Sequence, residues 1–135
     1  MDAHEWDLRY ADSGLVWSAG PNQFVESELA DLSPGRAIDV AAGEGRNSIW
    51  LAERGWHVTA VDFSQAGLDK GRQIQARRGP DLRIDWVRAD AVEDDLGRDR
   101  YDLAVVAYLQ LSADQRRAAV RRTFDALKDG GTLFV

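Results

Sequence analysis

The sequence of 135 residues predicts an α/β fold, in which a mostly parallel sheet lies between two layers of helices. Two observations support this prediction. Short apolar runs with strand character alternate along the chain with stretches of helical periodicity. This order is typical of parallel strands joined by right-handed crossovers. A loop with two glycines follows the first predicted strand, at the edge where sheets of this kind bind ligands.

Four helices and five strands are predicted in chain order. The helices cover residues 20–32, 45–54, 64–78 and 112–128, and the strands cover residues 36–41, 57–62, 82–90, 101–108 and 130–135. Ser64 is predicted to cap the third helix, and Ser112 begins the Ser-x-x-Gln pattern of a capping box before the fourth. Val120, Phe124 and Leu127 recur at helical spacing and are predicted to form the buried face of the fourth helix.

Composition limits the classes of function. The chain is 44% hydrophobic and 30% charged, which predicts a soluble domain with a core. No run approaches the roughly 18 apolar residues of a membrane helix, and the N-terminus does not resemble a secretory signal, so we expect a cytoplasmic protein with no membrane partner. Because the sequence has no cysteine and no recognisable cluster of metal ligands, no metal is predicted. A net charge of −6 disfavours nucleic acid as a partner.

The segment DVAAGEGRNSIWLAERGWHVTAVDFS, residues 39–64, contains the candidate ligand loop. Gly43 and Gly45 let the backbone turn tightly and approach a ligand. The helix that follows offers backbone N–H groups and a partial positive charge at its N-terminus. Asp62 ends the second strand, where an acidic side chain accepts hydrogen bonds from the hydroxyls of an adenosine ribose. A helix-capping role beside Ser64 is the alternative for Asp62.

Two features favour an adenosyl sulfonium ligand over a dinucleotide. The dinucleotide fingerprint requires a third glycine at the position of Ser48, and Asp39 at the loop entrance would repel a pyrophosphate but accept an ammonium or sulfonium. After the third strand, Asp90 would accept from the exocyclic amine of adenine, and the Ala91 N–H would donate to a ring nitrogen. A strand-end turn is the alternative for Asp90. A nicotinamide-dinucleotide protein is the weaker alternative for the whole chain.

These motifs, taken in order, resemble those of class I S-adenosylmethionine-dependent methyltransferases. The segments that carry the resemblance are DVAAGEGRNSIWLAERGWHVTAVDFS, RADA, YDLAVVAYLQL and LKDGGTLFV. The form of the first segment is similar to the branch that includes tellurite-resistance and thiopurine methyltransferases. The resemblance implies a Rossmann-like three-layer sandwich with strand order 3-2-1-4-5. It also implies methyl transfer from S-adenosylmethionine to a small-molecule acceptor, with S-adenosylhomocysteine as product.

The resemblance also assigns the cofactor site by matched position. The implied cofactor-binding residues are Asp39, Ala41, Gly43, Gly45, Arg46, Asp62, Phe63, Asp90, Ala91 and Ala107. Ala41 replaces the first glycine of the family motif. Arg46 and Asn47 would lie near the methionine end, with a solvated first helical turn as the alternative. Phe63 would lie against the adenine, and the Ala107 carbonyl would accept from the methionine ammonium.

We expect residues 1–20 to form an aromatic cap segment and residues 21–135 to form the methyltransferase domain. The possible cap or substrate-side residues are Trp6, Arg9, Tyr10, Trp17 and Tyr108. Static packing against the sheet edge is the alternative for the aromatic residues. No general base is identified, so the catalytic residue is unknown.

The C-terminal end of the sequence raises a further expectation. The sixth and seventh strands of the family fold are absent, so the domain is expected to be incomplete at its C-terminus. The fifth strand would then be an apolar edge that favours pairing, and a homodimer through that strand is expected. A non-catalytic module that binds S-adenosylmethionine or another protein is the alternative function.

Overall fold

The computed structural model describes residues 23–106 and 112–135, together with Ala3. The predicted cap residues Trp6, Arg9, Tyr10 and Trp17 lie outside the described residues, as do the two predicted site residues Ala107 and Tyr108. Their roles therefore stay predictions.

After the first helix, helices separate the successive strands of the described chain, except that the fourth strand follows the third with no helix between them. The helices are α1 (Gln23–Leu29), α2 (Arg46–Glu53), α3 (Gln65–Arg78) and α4 (Ala113–Ala126). The strands are β1 (Arg36–Val40), β2 (His57–Asp62), β3 (Ile84–Arg88), β4 (Tyr101–Val106) and β5 (Leu127–Phe134). Among the described residues, no helix has both the length and the apolar character needed to cross a membrane.

The five strands form one sheet in the order β3-β2-β1-β4-β5, and each neighbouring pair is parallel. The predicted fold class and strand order are confirmed. From β1 the chain adds β2 and β3 on one side and then β4 and β5 on the other, so the order reverses between β1 and β4. Ligands of open parallel sheets bind beyond the carboxyl ends of the strands at such a reversal.

Two hydrophobic cores lie on opposite faces of the sheet. Ala37 and Ile38 are neighbours on β1 but belong to different cores, because successive side chains of a strand point to opposite faces. The first core includes Leu29 of α1 and Leu51 of α2, and the second includes Ala126 of α4. The sheet is therefore covered on both faces, as the predicted three-layer arrangement requires.

Two predicted helix starts are confirmed by their hydrogen bonds. The Ser64 hydroxyl accepts from the Gly67 N–H at 3.2 Å and caps α3. At the start of α4, the Ser112 hydroxyl accepts from the Gln115 N–H at 3.3 Å, and the Gln115 side chain accepts from the Ser112 N–H at 3.4 Å. These reciprocal contacts form a capping box, which satisfies N–H groups that the helix itself leaves without partners.

The predicted buried face of α4 is wrong. Phe124 is 61% exposed, and Val120 is only partly buried. Leu127 is buried, but it is the first residue of β5 and not part of the helix.

The face of α4 that is buried against the sheet consists of Ala119, Thr123 and Ala126. These small side chains let the helix approach the sheet closely, and the Thr123 hydroxyl donates to the Ala119 carbonyl at 2.7 Å. The helix ends at Ala126 and not at the predicted Lys128, because the backbone of Leu127 is extended and enters β5.

Candidate functional site

The candidate site begins at the loop between β1 and α2, next to the point where the strand order reverses. Ala41, Gly43 and Gly45 all have a left-handed backbone, with φ of 62°, 58° and 79°. Glycine adopts this conformation without steric cost, whereas alanine does not. The family motif has glycine where this chain has Ala41, and the left-handed backbone at Ala41 is the conformation that glycine favours.

Backbone hydrogen bonds tie this loop to the sheet and to the next helix. The Ala42 N–H donates to the Val61 carbonyl of β2 at 2.9 Å, and the Gly45 N–H donates to the Ala42 carbonyl at 2.9 Å. Gly45 is the N-cap residue of α2, and no side chain of its own caps the helix. The loop thus brings the N-terminus of α2 to the carboxyl edge of the sheet.

Asp39 is a buried carboxyl group, 1% exposed, at the end of β1. The Ser48 hydroxyl in the first turn of α2 donates to its Oδ2 at 2.7 Å. Burial raises the pKa of Asp39 to about 7 and the negative charge of Asp62 adds to the rise, while hydrogen bonds from Ser48 and the positive charge of Arg46 oppose it. Asp39 therefore links β1 to α2 from within the protein.

Asp62 joins the glycine loop to the start of α3. Its Oδ2 accepts from the Gly43 N–H at 2.8 Å, and its Oδ1 accepts from the Ser64 N–H at 2.8 Å. The contact with Ser64 is the one that the capping alternative expects, and the contact with Gly43 brings the carboxylate to the ligand loop.

Asp90 forms the strand-end turn that the alternative interpretation expects. Its Oδ1 accepts from the Val92 N–H at 2.9 Å, and its own N–H donates to Asp94 Oδ2 at 2.7 Å. Ala91 is partly buried and packs against the second core. The turn holds both residues at the carboxyl edge of β3, and their contact with adenine stays a prediction.

The remaining predicted residues lie along the same edge. Phe63 is half-buried directly after β2, and its carbonyl accepts from Arg88 Nε at 3.3 Å. Arg46 is partly buried and Asn47 is buried, so the alternative of a solvated first helical turn is wrong for Asn47. Among the described residues, no group of three or more potential metal ligands occurs.

Sequence analysis missed the structural role of two residues at this site. Ser48 was considered only as a departure from the dinucleotide fingerprint, yet it is the hydrogen-bond partner of Asp39. Trp86 of β3 was considered only as part of a strand, yet its indole ring reaches Gly45. For Ser48, its position shortly after the loop and in the first turn of the helix indicates a hydrogen-bonding role. The sequence contains no corresponding indication for Trp86.

Comparison with known proteins assigns the chain to a family. A family model described as a methyltransferase domain matches residues 37–131, which span the sheet and the loop described above. The chain belongs to the methyltransferase domain family.

A curated relative supports the same assignment. Over 130 residues the chain is 32% identical to the demethylmenaquinone methyltransferase of Clavibacter sepedonicus, with 93% of this chain and 52% of that protein covered. This methyltransferase-family chain spans about half the length of the curated relatives it matches.

Solved structures share the fold. The glycopeptide N-methyltransferase MtfA in complex with S-adenosylhomocysteine aligns with a TM-score of 0.75 at 24% identity, covering 92% of this chain and 50% of that one. A TehB-like S-adenosylmethionine-dependent methyltransferase from Corynebacterium glutamicum aligns with a TM-score of 0.67 at 22% identity, covering 97% and 67%. The predicted cofactor, S-adenosylmethionine, is named for the Corynebacterium neighbour, and its product S-adenosylhomocysteine is named for MtfA.

Proposed function

We propose that this chain carries the S-adenosylmethionine-binding part of a methyltransferase that acts on a small molecule. The observation that carries the proposal is the contact between Asp62 and the Gly43 N–H, at 2.8 Å. It joins the acidic residue at the end of β2 to the left-handed loop at the end of β1. The adenosine ribose and the methionine part of the cofactor would bind across these two strand ends, which must therefore lie side by side.

In this proposal the ligand extends along the carboxyl edge of the sheet. Gly43 and Gly45 lie at the methionine end, where a bare backbone permits close approach. Asp62 holds the ribose hydroxyls, and Phe63 lies against the adenine. Asp39 contributes a buried carboxyl group next to the loop, whose ionised form is favoured by a nearby sulfonium or ammonium.

The adenine edge and the methionine ammonium complete the proposed contacts. Asp90 and Ala91 approach the adenine from the turn after β3. Ala107 follows β4, whose Val106 pairs with Val40 beside the loop, and its carbonyl would accept from the ammonium. Residues 1–20 would close over the ligand through their aromatic side chains.

S-adenosylmethionine supplies a methyl group that its sulfonium already activates for displacement. The protein therefore needs to align the acceptor with that methyl group and to exclude water. The described loop and strand ends offer fixed backbone geometry for this alignment. A soft or electron-rich acceptor needs little help from a base, which agrees with the absence of an identified general base.

The acceptor class rests on the relatives. The name of the Clavibacter relative specifies demethylmenaquinone, a small molecule, and we extend only that class to this chain. The narrower assignment to the tellurite-resistance and thiopurine branch rests on the segment GEGRNS and on the likeness in fold to the TehB-like protein.

Isothermal titration calorimetry of the chain with S-adenosylhomocysteine and with NAD tests the proposal. We expect saturable binding of S-adenosylhomocysteine and none of NAD at the same concentration. Binding of NAD without S-adenosylhomocysteine would assign the loop to a dinucleotide. For transfer, a panel of quinols, thiols and phenols is incubated with methyl-labelled S-adenosylmethionine, and incorporated label identifies the acceptor class.

A further inference from the structure

Trp86 of β3 reaches the glycine loop from two strands away in the sheet. Its ring atom Cζ3 lies 2.5 Å from the position that a Cβ atom would occupy on Gly45. The same ring approaches α3, where Cη2 lies 2.5 Å from the corresponding position on Gly71. Real Cβ atoms do not occur at such distances from a ring, so both positions have room for the indole only because they are glycines.

Gly71 has no conformational reason to be glycine. It lies in the middle of α3 without a positive φ, and glycine there destabilises a helix relative to alanine. A Cβ atom on Gly71 would also lie 3.0 Å from the carbonyl oxygen of Glu44 in the loop. Because Gly71 has no side chain, α3 can pack closely against both the indole of Trp86 and the loop.

Hydrogen bonds hold the indole in one orientation. Trp86 Nε1 donates to Gln75 Oε1 at 2.8 Å, and Gln75 Nε2 donates in turn to the Leu82 carbonyl at 2.8 Å. Arg72 donates from Nη2 to the Trp86 carbonyl at 3.0 Å. Because the ring is held at its nitrogen and its backbone is held from α3, its far edge against Gly45 has a fixed position.

We propose that Trp86 is a positioning residue for the cofactor loop. By packing against Gly45, the indole fixes the position of the loop and of the N-terminus of α2 relative to the carboxyl ends of the strands. Its effect on the ligand passes through the backbone of residues 43–46. This inference rests on the proposed function, because it takes that loop to be the binding site for the methionine end of S-adenosylmethionine.

The test compares Trp86→Phe with Trp56→Phe. Phenylalanine at position 86 keeps an aromatic ring but lacks the outer ring atoms that reach Gly45 and the nitrogen that bonds Gln75. Trp56 is buried in the first core. It directly precedes β2, so it lies at the amino ends of the strands, whereas the glycine loop lies at their carboxyl ends. Trp86 is only partly buried, so Trp56→Phe is a stringent control for the general loss of an indole from the fold.

Two measurements are made on each protein at a temperature where both variants remain folded. We expect Trp86→Phe to speed amide hydrogen exchange in residues 41–48 and to weaken binding of S-adenosylhomocysteine about fivefold, the size of effects between packed neighbours. Trp56→Phe should lower stability while leaving both quantities at the parental value.

A second pair of variants covers the case in which Trp86→Phe fails to fold. Gly71→Ala should displace the ring and weaken binding, and the same substitution should have little further effect when it is made in Trp86→Leu, which lacks the ring. Parental exchange and affinity in Trp86→Phe, or an undiminished effect of Gly71→Ala in Trp86→Leu, would mean that Trp86 only packs and does not position the loop. If the parent itself fails to bind S-adenosylhomocysteine, the proposed function is wrong, and hydrogen exchange alone still decides the role of Trp86 in the loop.

Discussion

At the scale of single residues, the site depends on two buried carboxyl groups at the ends of adjacent strands. Asp39 and Asp62 each have hydrogen-bond donors that hold a loop or helix start in place. Their burial makes the site sensitive to any change of these two side chains, because a charge removed from water must be compensated locally.

Asp39 should make the protein less stable as the pH rises. Its pKa of about 7 in the folded protein lies above the ordinary value of 3.8, so folding favours the protonated form. The stability associated with that proton is fully present below pH 4 and is lost as the pH rises through 7. The full effect is roughly 4 kcal/mol.

Urea unfolding at pH 5 and pH 8 measures this dependence. Asp39→Asn should remove most of the difference between the two pH values and should be more stable than the parent at pH 8. Asp102→Asn is the control, because the backbone N–H of Arg36 holds the pKa of Asp102 below its usual value and this group does not titrate between pH 5 and 8. An unchanged pH dependence in Asp39→Asn would contradict the assignment.

Asp62→Ala should weaken binding of S-adenosylhomocysteine at least about tenfold, because a hydrogen bond to a charged group contributes roughly 1.5–3 kcal/mol. The variant should also be less stable, since the N–H groups of Gly43 and Ser64 lose their acceptor. Ser64→Ala removes the side-chain cap of α3 and leaves the carboxylate, so it should lower stability by about 1 kcal/mol with parental affinity. Calorimetry together with thermal unfolding separates the two effects, and parental affinity in Asp62→Ala would leave Asp62 as a cap only.

At the scale of elements, α4 shows how packing selects one face of a helix. Periodicity predicted the face with the largest apolar side chains, but the helix buries Ala119, Thr123 and Ala126 instead. The buried residues have small side chains, which can pack closely against the sheet, whereas the large ring of Phe124 is exposed. Periodicity identifies candidate faces, and the fit between surfaces decides among them.

Substitutions on the two faces of α4 should therefore have opposite outcomes. Phe124→Ser should change the unfolding free energy of this chain by less than about 0.5 kcal/mol, as for other exposed positions. Ala119→Leu, at a fully buried position, should destabilise by about 1–3 kcal/mol through overpacking. Thermal unfolding of the two variants tests the assignment, and a larger loss for Phe124→Ser would restore the face predicted from periodicity.

At the scale of the whole molecule, the sheet has two edges of different character. The β3 edge carries the exposed charged residues Asp85 and Arg88, which discourage pairing with another chain. β5 has the exposed charged residues Lys128 and Asp129 near its start and the uncharged segment GGTLF after them, and within the described chain it pairs only with β4. Of the two outer strands of the described sheet, β5 is the one that we expect to pair with a second copy.

Thr132→Lys tests this expectation. Thr132 is exposed on β5, so lysine there adds a charge to the edge without removing a buried side chain. We expect light scattering to show a dimer for the parent and a monomer for Thr132→Lys. Phe134 is less suitable, because it packs against the first core. Val87→Lys adds the same charge to an exposed position on β3 and should leave the dimer intact, while a monomeric parent would exclude pairing through β5.

Sequence alone determined the order of elements, the helix starts at Ser64 and Ser112, and the place of the glycine loop at the end of β1. These features depend on local physics: apolar periodicity, capping hydrogen bonds and the conformations that glycine permits. The resemblance to the methyltransferase family added the strand order, which the sheet confirms.

Only the tertiary structure decided how distant residues meet. The pairing of Asp39 with Ser48, the contact of Trp86 with Gly45 and the buried face of α4 all depend on how strands and helices pack across the fold. No local pattern specifies such contacts, because the same sequence periodicity fits several rotations of a helix and several neighbours of a strand. The volumes of the side chains between packed elements set the relative position and tilt of those elements, and this packing selects one arrangement.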